Sequence, residues 1–276
     1  MSTTESRGLS RFVRLSRARF ACTKTMVRAI YVSELARYSD GDRLESYIAE
    51  GIPFFYRDLP KIQSDLGSGY FVSSIKETLD RLPTRESFRE SHFGEIAACL
   101  FAEEVLGLRK LYSKFSLLTA ENSNAYKMDL LLYDPQSRPP EFVFGEVKSS
   151  PKRSLDGLPV GHDRSCFADI FRSLNSYSED DQNFDLGCAK DRLNELPEPE
   201  QTLVRKALMP YADRRIRYAG FIVIDLSTRH DDETSVLATR RNSKVFDIDL
   251  VCVEQLPNVA HAAYDKLEQI RQACSL

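Results

Sequence analysis

The chain lacks a Cys-x-x-Cys pair, a histidine cluster, a long apolar run and an excess of positive charge, and each absence excludes something. Its six cysteines (Cys22, Cys99, Cys166, Cys188, Cys252, Cys274) are scattered, and the four histidines do not cluster with them. That argues against a zinc site, and against a disulfide framework in a chain of 276 residues. Cys99 and Cys252 lie in apolar runs and read as buried small hydrophobes. No apolar stretch approaches the length of a membrane span and no secretory segment is evident, so reducing cytoplasm is the expected compartment. Net charge is only −3. Affinity for nucleic acid comes mostly from Lys and Arg neutralising phosphates. A chain of this balance that acts on DNA therefore needs a local basic patch, bound metal, or a partner that delivers the duplex. No internal repeat or convincing Ser/His/Asp triad is present.

What is present is ordinary globular material, 42% hydrophobic and 29% charged, with two short runs that depart from it. Lys127-Met128-Asp129-Leu130-Leu131-Leu132-Tyr133 and Phe142-Val143-Phe144-Gly145-Glu146-Val147-Lys148 read as strands, yet each carries an acid among aliphatics. A carboxylate in such surroundings is costly unless something compensates it. The turn-rich connector Asp134–Pro140 suits a hairpin. Alternation along a strand puts Glu146 and Lys148 on one face, with Val143 and Val147 on the other. An Asp on one strand, with an acid and a Lys two apart on its neighbour, can hold a divalent cation beside an activated water. Acid-x-Lys alone is a weak motif, but Lys148 is the only lysine with an acid two residues before it. The alternative is a Glu–Lys pair on the solvated face of an edge strand, with Asp129 near a turn. The apolar character of both runs favours the site.

A third acid precedes them. From about residue 85 to 106, Phe88, Ile96, Cys99, Leu100 and Val105 recur at helical steps. Ser87 with Glu90 fits a capping box and Gly107 fits a C-terminal stop. Glu95 lies mid-helix in Phe93-Gly94-Glu95-Ile96-Ala97-Ala98, where small neighbours allow close approach to a sheet. A solvent-facing glutamate is the plainer alternative.

Helix with glutamate, hairpin with aspartate, then Glu-x-Lys is the order found in the PD-(D/E)xK nuclease superfamily. Phe93-Gly94-Glu95, the basic-aromatic stretch Lys110-Leu111-Tyr112-Ser113-Lys114-Phe115, the Asp129 strand and Gly145-Glu146-Val147-Lys148 resemble more particularly HamA, the nuclease subunit of Hachiman anti-phage defence. The matching segment covers roughly residues 85–175. That family tends to carry Gly-Glu-Ser-Lys, and here Val147 takes the middle position, on the face away from the metal. The resemblance implies a restriction-endonuclease-like α/β core with a central mixed sheet flanked by helices. It implies a Mg²⁺- or Mn²⁺-dependent deoxyribonuclease, with Asp129, Glu146 and Glu95 as metal ligands and Lys148 as the catalytic lysine. It further implies DNA as substrate and a partner helicase of superfamily 2 (HamB) that holds the nuclease inactive until DNA engages it. A stand-alone restriction or repair endonuclease, and a decayed module that binds nucleic acid or a partner, stay open as alternatives.

The rest of the chain divides at about residue 84. Residues 1–84 are expected to form a small docking region behind a basic start, with Arg7, Arg11, Arg14, Arg17, Arg19, Lys24 and Arg28 against one acid, Glu5. That start can be a basic arm, a transit-peptide-like segment, or an opening strand with exposed arginines. Residues 85–276 are expected to form the nuclease-like domain. After Lys148, a loop carries Lys152, Arg153 and Arg164 as candidate DNA contacts. A helix over 165–177 shows Phe167, Ile170, Phe171 and Leu174 on one face. Residues 178–200 hold eight acids and read as a solvated connector, or as a segment that mimics DNA. Strands are expected over Tyr218–Leu226 and Val245–Val253, and a helix from about Asn258 to Ala273. Asp247 and Asp249 are a competing metal pair, ranked lower because no Glu-x-Lys accompanies them.

Overall fold

In the computed structural model, the described residues are 13–19, 26–32, 43–57, 63–65, 67–117, 128–150, 166–209, 211–228 and 244–274. They build one seven-stranded sheet in the order β1-β2-β7-β6-β5-β4-β3. The strands are β1 (Val13–Arg19), β2 (Met26–Val32), β3 (Arg109–Ser113), β4 (Leu130–Asp134), β5 (Glu141–Ser150), β6 (Arg215–Asp225) and β7 (Phe246–Val253). The four central strands β2, β7, β6 and β5 run parallel. Antiparallel pairs close both edges, β1 on β2 at one side and β4 with β3 at the other. The mixed sheet expected from the sequence is therefore present.

The central strands are apolar on both faces because both faces are covered, as parallel sheets require. Val143, Val147, Phe221, Val223, Val251 and Val253 pack on one side. There they meet α1 (Leu44–Gly51), α2 (Pro53–Tyr56), α3 (Phe71–Leu79), α4 (Glu86–Glu104) and α8 (Leu256–Ala273). Phe142, Phe144, Ile222, Ile224, Ile248 and Leu250 face the other way. Their cover is α5 (Cys166–Ser176), α6 (Glu179–Asp191) and α7 (Glu198–Ala207). Cys99 and Cys252 are buried in these cores, one in each.

Several sequence expectations meet corrections. The sheet does not divide at residue 84, since β2 pairs with β7 and α1 packs on α8. Helix α4 starts two residues earlier than a Ser87 cap requires: Arg85 is its N-cap and makes no side-chain capping hydrogen bond. Its other end behaves as expected, with Gly107 at φ +72°, where a side chain would strain the backbone. The acidic run is no connector. Ser178 and Asp181 form a reciprocal capping box that starts α6, and Asp185 turns fully inward. Asp249 is paired rather than poised for metal, accepting from Arg28 Nε at 2.6 Å. Burial raises its carboxyl pKa and Arg28 opposes that rise.

Candidate functional site

The hairpin register sets the site. Leu130 pairs with Gly145, so Asp129, one residue before β4 begins, falls beside Glu146. The backbone N–H of Val147 donates to Asp129 Oδ2 at 2.7 Å. The Asp129 carboxylate is thus fixed to the strand that carries the other two residues. Val143 and Val147 enter the core facing α4, whereas Glu146 and Lys148 project the opposite way, as strand alternation requires. Lys148 Nζ donates to Glu146 Oε1 at 2.6 Å, and Ser173 of α5 acts to lower the Glu146 carboxyl pKa.

Glu95 arrives from α4. Two features bring that helix against β5: the run of small residues, and Gly94, whose missing side chain leaves room for Ser149. Glu95 is buried. Its Oε1 meets Lys114 Nζ at 2.7 Å, and the same ammonium lies 2.6 Å from Asp129 Oδ1. Its Oε2 is buried and has no hydrogen-bond partner among the described residues.

Lys114 is the residue that sequence reasoning missed. It opens a short 3₁₀ turn (Lys114–Leu117) directly after β3, and a register slip between Lys110 and Tyr112 re-aims the chain there. Its own N–H donates to the Asp129 carbonyl at 3.1 Å. Phe115 packs on the other side, its ring centroid 4.3 Å from that of His92 and 5.4 Å from that of Tyr56. The only sequence signal was the basic-aromatic stretch itself.

These groups sense one another. Burial pushes the Glu95 carboxyl up to about 8; the charges of Asp129 and Glu146 add to the rise and Lys114 opposes it. Burial, helped by Asp129, pushes Glu146 up to about 7 against the pull of Lys148. Burial acts to lower both lysines, but the surrounding carboxylates outweigh it and hold each above its ordinary value. His92, one turn before Glu95, is lowered to about 3 by burial and by Lys114, so it stays neutral.

The donor set suits a hard divalent cation: three buried carboxylates, one with an oxygen that finds no partner among the described residues. The acids are not drawn tightly together. Among the described residues, the group of three His, Cys, Asp or Glu side chains with ligand atoms all within 4.8 Å of one another is Glu86, Glu90 and His261, near the surface. Glu95, Asp129 and Glu146 are spread wider than that, with the Lys114 ammonium between the first two. The candidate DNA contacts Lys152, Arg153 and Arg164 lie outside the described residues. Among the described residues no helix is long and apolar enough to cross a membrane.

Fold and site together define an α/β protein with an acid–lysine cluster on the β4–β5 hairpin of a mixed sheet. The HamA family model matches residues 23–267, nearly the whole chain, and the chain belongs to that family. It is accordingly a protein of Hachiman-type anti-phage defence. The match runs well beyond residues 85–175, which carry the motifs, and it takes in β2 and α1. A search of the curated proteins gives no match.

Proposed function

We propose that this protein is a metal-dependent DNA nuclease of the PD-(D/E)xK type, the effector of a Hachiman-type system controlled by a partner helicase. The observation that carries the reading is the convergence of Asp129, Glu146 and Lys148 on one hairpin with Glu95 reaching in from α4. Asp129 and Glu146, with Glu95, would hold Mg²⁺ or Mn²⁺. When bound, such a cation polarises a phosphate and lowers the pKa of water.

The chain's own residues supply the rest. The Val147 amide keeps the Asp129 carboxylate in one orientation. Lys148 does the same for Glu146. Lys148 carries its positive charge on the same strand face as Glu146, where it offsets charge developing on the attacked phosphate. No His or Ser is required. The near-neutral sequence charge fits a nuclease that depends on a helicase to deliver DNA.

The test is Lys148→Ala, assayed for Mg²⁺-dependent cleavage of DNA with the helicase and ATP present. Loss of cleavage with an unchanged melting temperature is expected. Wild-type cleavage by that variant would reject the assignment. Full activity on naked DNA without helicase would instead favour a stand-alone endonuclease.

A further inference from the structure

Lys114 stands where the proposed metal centre needs a cation. Its ammonium bridges Glu95 Oε1 and Asp129 Oδ1, from two different elements, at 2.7 and 2.6 Å. Its side chain is 15% exposed and the two acids less so, so little solvent screens the contact. An ammonium is a compact point charge on a flexible stem. Held between two carboxylates, it gives them the compensation they would otherwise take from a divalent ion. The two cannot share the position, because a unit charge and a double charge a few ångströms apart in a buried pocket repel strongly.

Two further observations fit a stand-in better than a permanent partner. Glu95 Oε2 finds no donor among the described residues, so the ammonium satisfies only one oxygen of that carboxylate. The backbone of Lys114 is tied to the Asp129 carbonyl, and the neighbouring Phe115 is locked by Tyr56 and His92. Only the four-carbon side chain therefore has to move. Glu146 has its own internal cation in Lys148.

Resting on the metal-nuclease reading above, we propose that Lys114 is a resident substitute for the divalent cation. It holds Glu95 and Asp129 in place in the metal-free protein, and metal enters only as its ammonium withdraws. The apparent metal affinity is then the intrinsic affinity reduced by the small fraction of molecules with Lys114 out. Lys114 thereby sets the metal threshold below which the protein is inert.

The experiment is calorimetric titration of the full chain with MgCl₂ and MnCl₂, comparing wild type, Lys114→Met and Asp129→Asn. It is paired with mass-spectrometric acylation footprinting of Lys114 in the wild type. Lys114→Met should bind metal at least roughly tenfold more tightly than wild type, and Asp129→Asn should lose binding. Acylation of wild-type Lys114 should rise with the same midpoint as metal binding. If Lys114→Met binds no tighter while Asp129→Asn loses binding, the substitute role is overturned and the metal centre stands. If neither wild type nor Lys114→Met binds metal, both fall. Should Lys114→Met not fold, the wild-type footprint decides: Lys114 that stays protected with metal bound overturns the proposal.

Discussion

Gly94 of α4 sits so close to Ser149 of β5 that a Cβ on the glycine would overlap the serine's Cβ and Oγ. This approach puts Glu95, the next residue, within reach of Lys114 and the hairpin. Gly94→Ala should therefore destabilise the protein despite alanine's higher helix propensity. Relieving a mid-helix glycine returns about 1 kcal/mol, whereas overpacking costs about 1–3 kcal/mol. A net loss in urea denaturation is expected. Ser149→Gly in the same chain should restore most of it, because the two positions share one space.

How much of this was legible beforehand follows from the range of each interaction. The β4–β5 hairpin was legible because its strands alternate and its connector is rich in turn residues. Helix α5 was legible because Phe167, Ile170, Phe171 and Leu174 recur at helical steps, and all four are buried. Glu95 was legible as a candidate because glycine and alanines flank it. Lys114 was not, since its partner Asp129 is 15 residues away and the turn that aims it follows a register slip. No spacing rule reaches that far. The burial of Asp185 is hidden for a similar reason. Within an acidic run it looks solvated, yet one of its two hydrogen-bonding partners, Tyr112, lies 73 residues earlier.

Asp185 is buried and accepts from the hydroxyls of Tyr112, on β3, and Tyr177, just after α5. Burial, together with this carboxylate, raises both phenols above their ordinary pKa, so both remain donors. Asp185→Ala strands the Tyr177 hydroxyl and leaves Tyr112 only its longer bond to the Met128 carbonyl, at 3.3 Å, and an unsatisfied buried group costs about 1–3 kcal/mol. Tyr177→Phe removes one donor and leaves the acceptor a partner, so it should cost about 1 kcal/mol. Denaturant midpoints of the two variants check the order.

Asp249 and Arg28 tie β7 to β2 through one ion pair, with Asp249 nearly fully buried. Removing the cation leaves an uncompensated buried carboxylate, so Arg28→Ala should cost roughly 3 kcal/mol. Asp249→Asn should leave metal binding unchanged, since the pair already satisfies this acid. Lost Mn²⁺ binding in Asp249→Asn would restore the Asp247/Asp249 alternative. Calorimetry on that variant decides the point.

The raised carboxyls of Glu95 and Glu146 give the metal-free protein a defined response to pH. Both have an ordinary value of 4.5 and stand at about 8 and about 7 in the fold. Between the ordinary and the folded values, the native state holds more protons on these groups than the unfolded chain does. Stability from these two groups therefore falls as pH rises through that window. Melting temperatures measured in EDTA should drop less steeply with pH in Glu95→Gln or Glu146→Gln than in wild type. Metal binding must expel the same protons. Mg²⁺ affinity should accordingly rise from about pH 6 to pH 8. Titrations in buffers of different ionisation enthalpy should show proton release, diminished in Glu146→Gln. Affinity that stays flat across that range would mean the carboxylates are already ionised before the cation arrives.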